Sequence, residues 1–195
     1  MRQMVMPRSQ GGALLIEILI TIVIVVIGTL GLMQMQGRLQ KSEMEAYQRT
    51  QAMILLNDMA SRIASNRLAA ANYDSDLLDP KYLGGTTADL DCSALDKSSL
   101  EGSDLAEWCD ALQGAAELQS GSSVGAMVGG RGCVQPVSAD RVMVTVVWQG
   151  LTPISAPPAT VSCGVDLYDV AGTDCADDLC RRYVTTMVSI ANLDT

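Results

Sequence analysis

Histidine and phenylalanine are absent from this sequence of 195 residues, and aromatic residues account for only 4% of it. Without histidine, the chain lacks the side chain that most often serves as a general base and as a metal ligand. Without histidine, the serines of the chain also lack the general base that most often activates a serine nucleophile. We therefore predict a protein that is not an enzyme and that holds no cofactor and no metal.

Basic residues are scarce, because 13 lysines and arginines stand against 22 aspartates and glutamates, which gives a net charge of −9. Proteins that bind nucleic acid obtain much of their affinity from basic patches that contact phosphate groups. The acidic balance and the small number of aromatic rings predict that this chain does not bind nucleic acid directly.

A single long apolar run is present at residues 13–33, and Glu17 is its only charged residue. As a helix rising about 1.5 Å per residue, this run would span about 31 Å, close to the thickness of a bilayer core. Arg2 and Arg8 are the charged residues that precede it. Since positive residues stay on the cytoplasmic side, we predict a single-pass inner-membrane protein with a cytoplasmic N-terminus and a periplasmic C-terminal domain.

Two ordinary membrane signals explain this segment poorly. The apolar region of a cleaved secretory signal covers only about 7–15 residues and ends at a small-x-small site, which "GLMQMQGRLQ" does not offer. A permanent anchor would fit the length. It would gain nothing from Glu17, however, because an ionised side chain at mid-bilayer costs on the order of 3 kcal/mol.

The start of the apolar run resembles a known processing signal. A short basic leader, Gly12 and then "ALLIE" resemble the class III signal of type IV prepilins, whose pattern is G-FTLIE, with departures at Ala13 and Leu14. The resemblance implies a leader at 1–12, cleavage between Gly12 and Ala13 by a prepilin peptidase, and N-methylation of Ala13. It also implies that Glu17, as the fifth mature residue, pairs with the N-terminal amine of a neighbouring pilin during assembly.

Three residues of this segment allow more than one interpretation. Glu17 could also stabilise the N-terminus of its own helix through the helix dipole, although a polar residue outside the lipid would do this equally well. Gly28 and Gly31 each cost up to about 1 kcal/mol in a helix interior. They would ease a local loss of helix in a fibre, or they would allow close helix packing, and the sequence favours neither.

The helix is predicted to continue through residues 34–71, as the soluble part of one long helix that ends near Ala71. Its second half carries apolar residues at helical spacing, which predicts one buried face. The members of this stripe are Ala52, Leu55, Leu56, Met59, Ala60, Ile63 and Ala64.

Residues 72–195 are predicted to form the globular domain. We expect a short helix at 103–118 that begins at Ser103, a flexible loop at 120–132, and strands at 141–150 and 181–193. Three or four antiparallel strands packed on the long helix would bury both apolar surfaces. The predicted class is α+β with the type IV pilin fold.

Six cysteines all follow the apolar run, which predicts disulfides formed in an oxidising compartment. A zinc site is disfavoured because the single close pair has C-x4-C spacing. We favour three pairs, while an exchange among the last four cysteines stays open. The favoured pairs are Cys92–Cys109, Cys133–Cys163 and Cys175–Cys180.

Two groups of aspartates could supply oxygen ligands to calcium. Neither has the spacing of an EF-hand, so solvated acidic loops are the favoured interpretation. The groups are Asp74, Asp76 and Asp79, and Asp166, Asp169, Asp174, Asp177 and Asp178.

The segments "GLMQMQG" and "VTVVWQG" and the C-terminal "RRYV" and "ANL" together resemble minor pilins of the PilV type, the type IV pilus modification proteins. The resemblance implies a low-abundance subunit that joins other minor pilins and the major pilin, primes fibre assembly and connects to a tip adhesin in several systems. It would support adhesion or motility, and its final location would be the pilus fibre or tip at the cell surface. The alternatives are a minor pseudopilin of a type II secretion system and a permanently anchored periplasmic binding or enzyme domain.

Overall fold

The structure is a computed structural model that describes residues 13–85, 90–114, 118–119, 122–123 and 127–191. The chain divides into two compact units, Met1–Glu43 and Met44–Thr195. The first helix, α1, covers Ala13–Ser65 and so contributes residues to both units. The predicted leader at 1–12 lies outside the described residues.

Within the first unit, α1 is an apolar helix whose described side chains are all exposed, from Leu15 to Glu43. The helix is long and apolar enough to cross a membrane, by length and composition. Its leucines, isoleucines and valines are therefore not buried by other residues of this unit, which is consistent with a single-pass membrane segment.

Within the second unit, the predicted stripe of α1 forms much of the core. Ala52, Met59 and Ile63 are fully buried, and the other members are buried or partly buried except Ala64, which is exposed against our prediction. The helix also ends at Ser65 rather than near Ala71.

A 3-10 helix, Arg67–Tyr73, follows the end of α1. Asn66 separates the two with backbone angles outside the helical region (φ −107°, ψ 48°). Its side-chain amide donates to the Tyr73 hydroxyl (3.2 Å), a contact that holds the tighter turn in place. The Tyr73 hydroxyl in turn donates to Asp104, so a tertiary contact accompanies the departure of "RLAAANY" from its local propensity for α-helix.

The strands of the described residues are β1 Leu83–Gly84, β2 Leu118–Gln119, β3 Ser122–Ser123, β4 Arg131–Ser138, β5 Arg141–Gln149 and β6 Arg181–Ser189. They form a four-stranded antiparallel sheet with the order β1–β4–β5–β6, and a separate two-stranded ribbon of β2 and β3.

Strand β4 begins inside the stretch that we predicted as a loop before Cys133. Its sequence "RGCVQPVS" contains a glycine and a proline, which are both uncommon inside strands. For this reason the sequence pattern did not predict a strand here. The two strands that were predicted are present as β5 and β6, and β6 ends at Ser189 rather than at residue 193.

The short helix α2 covers Leu100–Leu112 and not 103–118 as predicted. Its N-cap is Ser99, whose hydroxyl accepts a hydrogen bond from the amide of Gly102 (3.2 Å). Ser103 therefore lies in the first turn rather than at the cap. A side chain could not replace Gly102, because a Cβ there would lie 2.0 Å from the carbonyl oxygen of Asp96.

The core is formed where the buried face of α1 meets the sheet and α2. Trp108 of α2 is fully buried there, and its indole N–H donates to the carbonyl of Leu55 in α1 (2.9 Å). The protein has the α+β, pilin-like architecture of a long N-terminal helix packed on a small antiparallel sheet, with three disulfides.

Candidate functional site

The predicted processing and assembly residues lie at the start of α1. Gly12 is outside the described residues, and Ala13 is the first residue of the helix. Glu17 lies in the first two turns with its side chain exposed, and it makes no hydrogen bond or ion pair with any residue that the structure describes. A carboxylate placed in this way needs a partner outside those residues, or water.

The surface around Glu17 is unusually apolar for an exposed helix. Leu15, Ile16, Ile18, Leu19 and Ile20 are all between 49% and 73% exposed. Water is a poor solvent for so many aliphatic side chains in one place, since each costs about 1.5–3 kcal/mol when exposed. This segment can therefore be stable in lipid or against other apolar helices.

Gly28 and Gly31 stand in open surroundings. A Cβ at either position would meet no atom within 4 Å, apart from the helix's own nearby backbone. Packing within this chain therefore does not require glycine at these positions.

The three disulfides join the pairs that the sequence analysis favoured. Cys92–Cys109 connects the 3-10 turn Cys92–Ala94 to α2, and Cys133–Cys163 connects β4 to the loop that precedes β6. Cys175–Cys180 closes the short segment immediately before β6. All six cysteines are paired, so the long connections around the sheet are covalently held.

A cluster of charged residues that the sequence analysis did not identify joins the end of α1 to α2. Arg62 forms ion pairs with Asp58 (2.9 Å), Asp104 (2.9 Å) and Glu107 (2.8 Å), and the Tyr73 hydroxyl donates to Asp104. Burial alone would lower the pKa of Arg62, but its three acidic neighbours raise it above the ordinary value. The spacing of 42 residues between Arg62 and Asp104 left no local signal for this cluster.

Tyr73 is fully buried in this cluster. Burial, together with its hydrogen bond to Asp104, raises the pKa of Tyr73 from 10.0 to about 12. A pocket of about 280 Å³ lies beside the cluster, and its lining includes Asp58, Arg62 and Asp104. The role of the cluster is to attach α2 to the long helix.

We expect this cluster to give the domain a steep alkaline limit. Below about pH 10 the tyrosine is protonated in both the folded and the unfolded chain, so its contribution is complete. Between about pH 10 and pH 12 the unfolded chain ionises first, and the free energy of unfolding falls by on the order of 2 kcal/mol. Urea unfolding of the full chain in detergent, followed by tryptophan fluorescence at several pH values, measures this slope.

The Tyr73→Phe variant should lose much of that slope, because it has no hydroxyl to ionise at position 73. Tyr183→Phe, which removes an exposed hydroxyl on β6, serves as the control and should keep it. An unchanged slope in Tyr73→Phe would show that Tyr73 does not limit alkaline stability.

The acidic groups considered for calcium are used largely within turns. Asp74 accepts a hydrogen bond from the amide of Asp76 (2.9 Å), and Asp169 accepts one from the amide of Asp178 (2.9 Å). Asp178 also forms a buried ion pair with Arg181 (3.0 Å). Among the described residues, no group of three or more potential ligands is arranged to hold a metal ion.

No protein-family model, curated protein or solved structure that was compared with this chain matches it. The pilin-like character of the fold therefore depends on the structure alone. The features on which a function can be argued are the apolar helix with its carboxylate, and the disulfide-bonded domain that follows it.

Proposed function

We propose that this protein is a minor pilin of a type IV pilus, a structural subunit rather than an enzyme. The observation that carries the proposal is the position of Glu17. It is the single charged residue of a 21-residue apolar run, and it lies five residues into the chain counted from Ala13. A cut before Ala13 would create a positive amine close enough in sequence and depth to pair with such a carboxylate on another subunit.

The exposed surface of the first unit supports the same proposal. A helix that must leave the bilayer and enter a fibre needs an apolar surface that is stable in both places, and residues 15–33 provide one. Within the fibre the surrounding helices would replace lipid. Glu17 would then fix the axial position of each subunit, because an apolar seam offers its carboxylate few other partners.

The three disulfides of the second unit suit a domain that folds in an oxidising compartment outside the cytoplasm. They hold the connections around the sheet, and each bridge stabilises a fold by roughly 2–4 kcal/mol. In the proposed cycle the prepilin peptidase cuts Gly12–Ala13 and methylates Ala13. The subunit then waits in the inner membrane and joins other minor pilins, the major pilin and a tip adhesin.

The test is the N-terminal mass of the protein from cells with and without prepilin peptidase. We expect the mass of a chain that begins at Ala13, with one added methyl group, only where the peptidase is present. If Met1 persists in both strains, the protein is a permanent membrane anchor and the proposal is wrong.

A further inference from the structure

Strand β6 forms one edge of the four-stranded sheet. It pairs with β5 along its whole length, and no described residue pairs with its other side. The opposite edge is β1, which has only two residues, both buried. Within the described part of the chain, β6 is therefore the long open edge of the sheet.

The register shows which backbone groups of β6 face this edge. Opposed residues of an antiparallel pair alternate between exchanging hydrogen bonds with each other and pointing away. Gly150 donates to Cys180, and Ile190 donates to Asp140, each at 2.7 Å, and the register between these two bonds is continuous. The even-numbered residues of β6 thus bond to β5.

The odd-numbered residues Tyr183, Thr185 and Met187 consequently direct their N–H and C=O groups to the open side. Natural proteins usually protect such edges with proline, lysine, a bulge or a covering loop. The sequence from Tyr183 to Ser189 contains no charge and no proline, and its pairing with β5 has no bulge. This edge is well suited to accept another strand.

A cationic groove lies where the open edge begins. It has a volume of about 360 Å³, and its walls include Tyr183, Arg182 and Trp148 from the sheet, Arg49 from α1, and Pro157 and Pro158 from the loop.

The arginines of this groove differ in how they are engaged. Arg182 donates to the carbonyls of Leu179 and Thr152 and forms an ion pair with Glu45 (3.6 Å). Arg181 is buried and forms an ion pair with Asp178 (3.0 Å). Arg49 is exposed and forms no ion pair with any described residue, so its charge favours an anionic group in the groove, although the protein as a whole is acidic.

The positions of the open edge and of the groove determine which end of an added strand would lie at the groove. A strand added antiparallel to β6 would place its C-terminal end beside Tyr183, at the groove. We propose that β6 binds the C-terminal segment of a partner protein as a fifth strand, and that the terminal carboxylate of this segment pairs with Arg49. The proposal does not depend on the function proposed above, since it uses only the second unit.

A second copy of this chain fits the surface less well. Two β6 strands could pair through their open edges, but β6 itself has no acidic side chain that could meet Arg49, and the next acidic residue, Asp194, follows the strand by five residues. The charge of the groove therefore favours a partner that brings its own carboxylate.

The experiment measures fluorescence anisotropy with the full chain in detergent micelles. The probe is a nine-residue peptide of alternating valine and threonine with an N-terminal fluorescein and a free C-terminal carboxylate. We expect saturable binding, weakened about fivefold when the C-terminus is an amide, because one exposed ion pair is lost. Arg49→Gln should weaken binding of the free acid by a similar factor and leave binding of the amide unchanged.

The edge is tested with Thr185→Pro, which removes an N–H that faces the open side and spares the backbone bonds to β5. The hydroxyl that donates to the carbonyl of Val144 (3.0 Å) is lost in Thr185→Pro and in Thr185→Ala alike. We expect at least a tenfold loss of binding for both peptides. Thr185→Ala is the matched control, since it keeps the N–H and should bind like the unchanged protein. A fully N-methylated peptide, which cannot donate to β6, should fail to bind even if Thr185→Pro disturbs the fold.

Three results would overturn the proposal. These are the absence of binding by the free-acid peptide, equal binding of the N-methylated peptide, and a dimer that Thr185→Pro converts to a monomer while no peptide binds. The last result would assign the edge to a second copy of this chain.

Discussion

Glu17→Ala is expected to leave removal of the leader intact and to reduce recovery of the protein in sheared surface fibres by at least tenfold. Alanine restores an uninterrupted apolar run, so the variant should insert into the membrane at least as well as the original chain. What it loses is the carboxylate for which no partner exists among the described residues. If that partner is the amine of a neighbouring subunit, the variant accumulates in the membrane in its processed form.

The matched control is Thr21→Ala, one turn further along the same helix. The Thr21 hydroxyl donates to the carbonyl of Ile18 (2.8 Å) and therefore needs no external partner. Its loss should change neither processing nor recovery. Quantitative immunoblots of the membrane and fibre fractions compare both variants, and normal recovery of Glu17→Ala would refute the pairing argument.

Gly132→Ala is expected to destabilise the domain by about 3 kcal/mol, at the upper end of the usual cost of overpacking. Gly132 lies in β4, between its partners Leu83 and Val146. A Cβ there would lie 2.2 Å from Cη2 and 2.5 Å from Cζ3 of the Trp108 ring. The ring cannot easily withdraw, because it is fully buried and bonded to the carbonyl of Leu55.

Thermal unfolding of the full chain in detergent, monitored by near-UV circular dichroism of the tryptophans, measures this loss. Gly37→Ala is the control, since a Cβ at that helical position meets nothing within 4 Å. It should leave the transition unchanged or raise it slightly through better helix propensity. A Gly132→Ala variant as stable as the control would show that Trp108 repacks without cost.

The parts of the fold that follow a periodic pattern could be predicted from the sequence. The spacing of Met59 and Ile63 fixed the buried face of α1, and the β-branched runs identified β5 and β6. Both signals are local, because the same side chains determine the element and its buried side.

The parts that depend on distant contacts could not be predicted in this way. Ser99 and Ser103 are equally good caps by type, and the choice depends on how closely Gly102 approaches Asp96. The pairing of Arg62 with Asp104 requires α2 to lie beside the end of α1. Whether the N–H and C=O groups of Thr185 face the open edge depends on the pairing register of β6 with β5, and the sequence of one strand does not specify that register.

The disulfide pattern has a consequence for how the chain acquires its bridges. Each cysteine is joined to the next one along the sequence, with separations of 17, 30 and 5 residues. A chain that emerges into an oxidising compartment N-terminus first would expose Cys92 and Cys109 before any other thiol, and the later pairs in turn. Random pairing among six cysteines would offer 15 arrangements. Order of emergence alone would select this one, so correct oxidation of the domain should need little reshuffling by a disulfide isomerase.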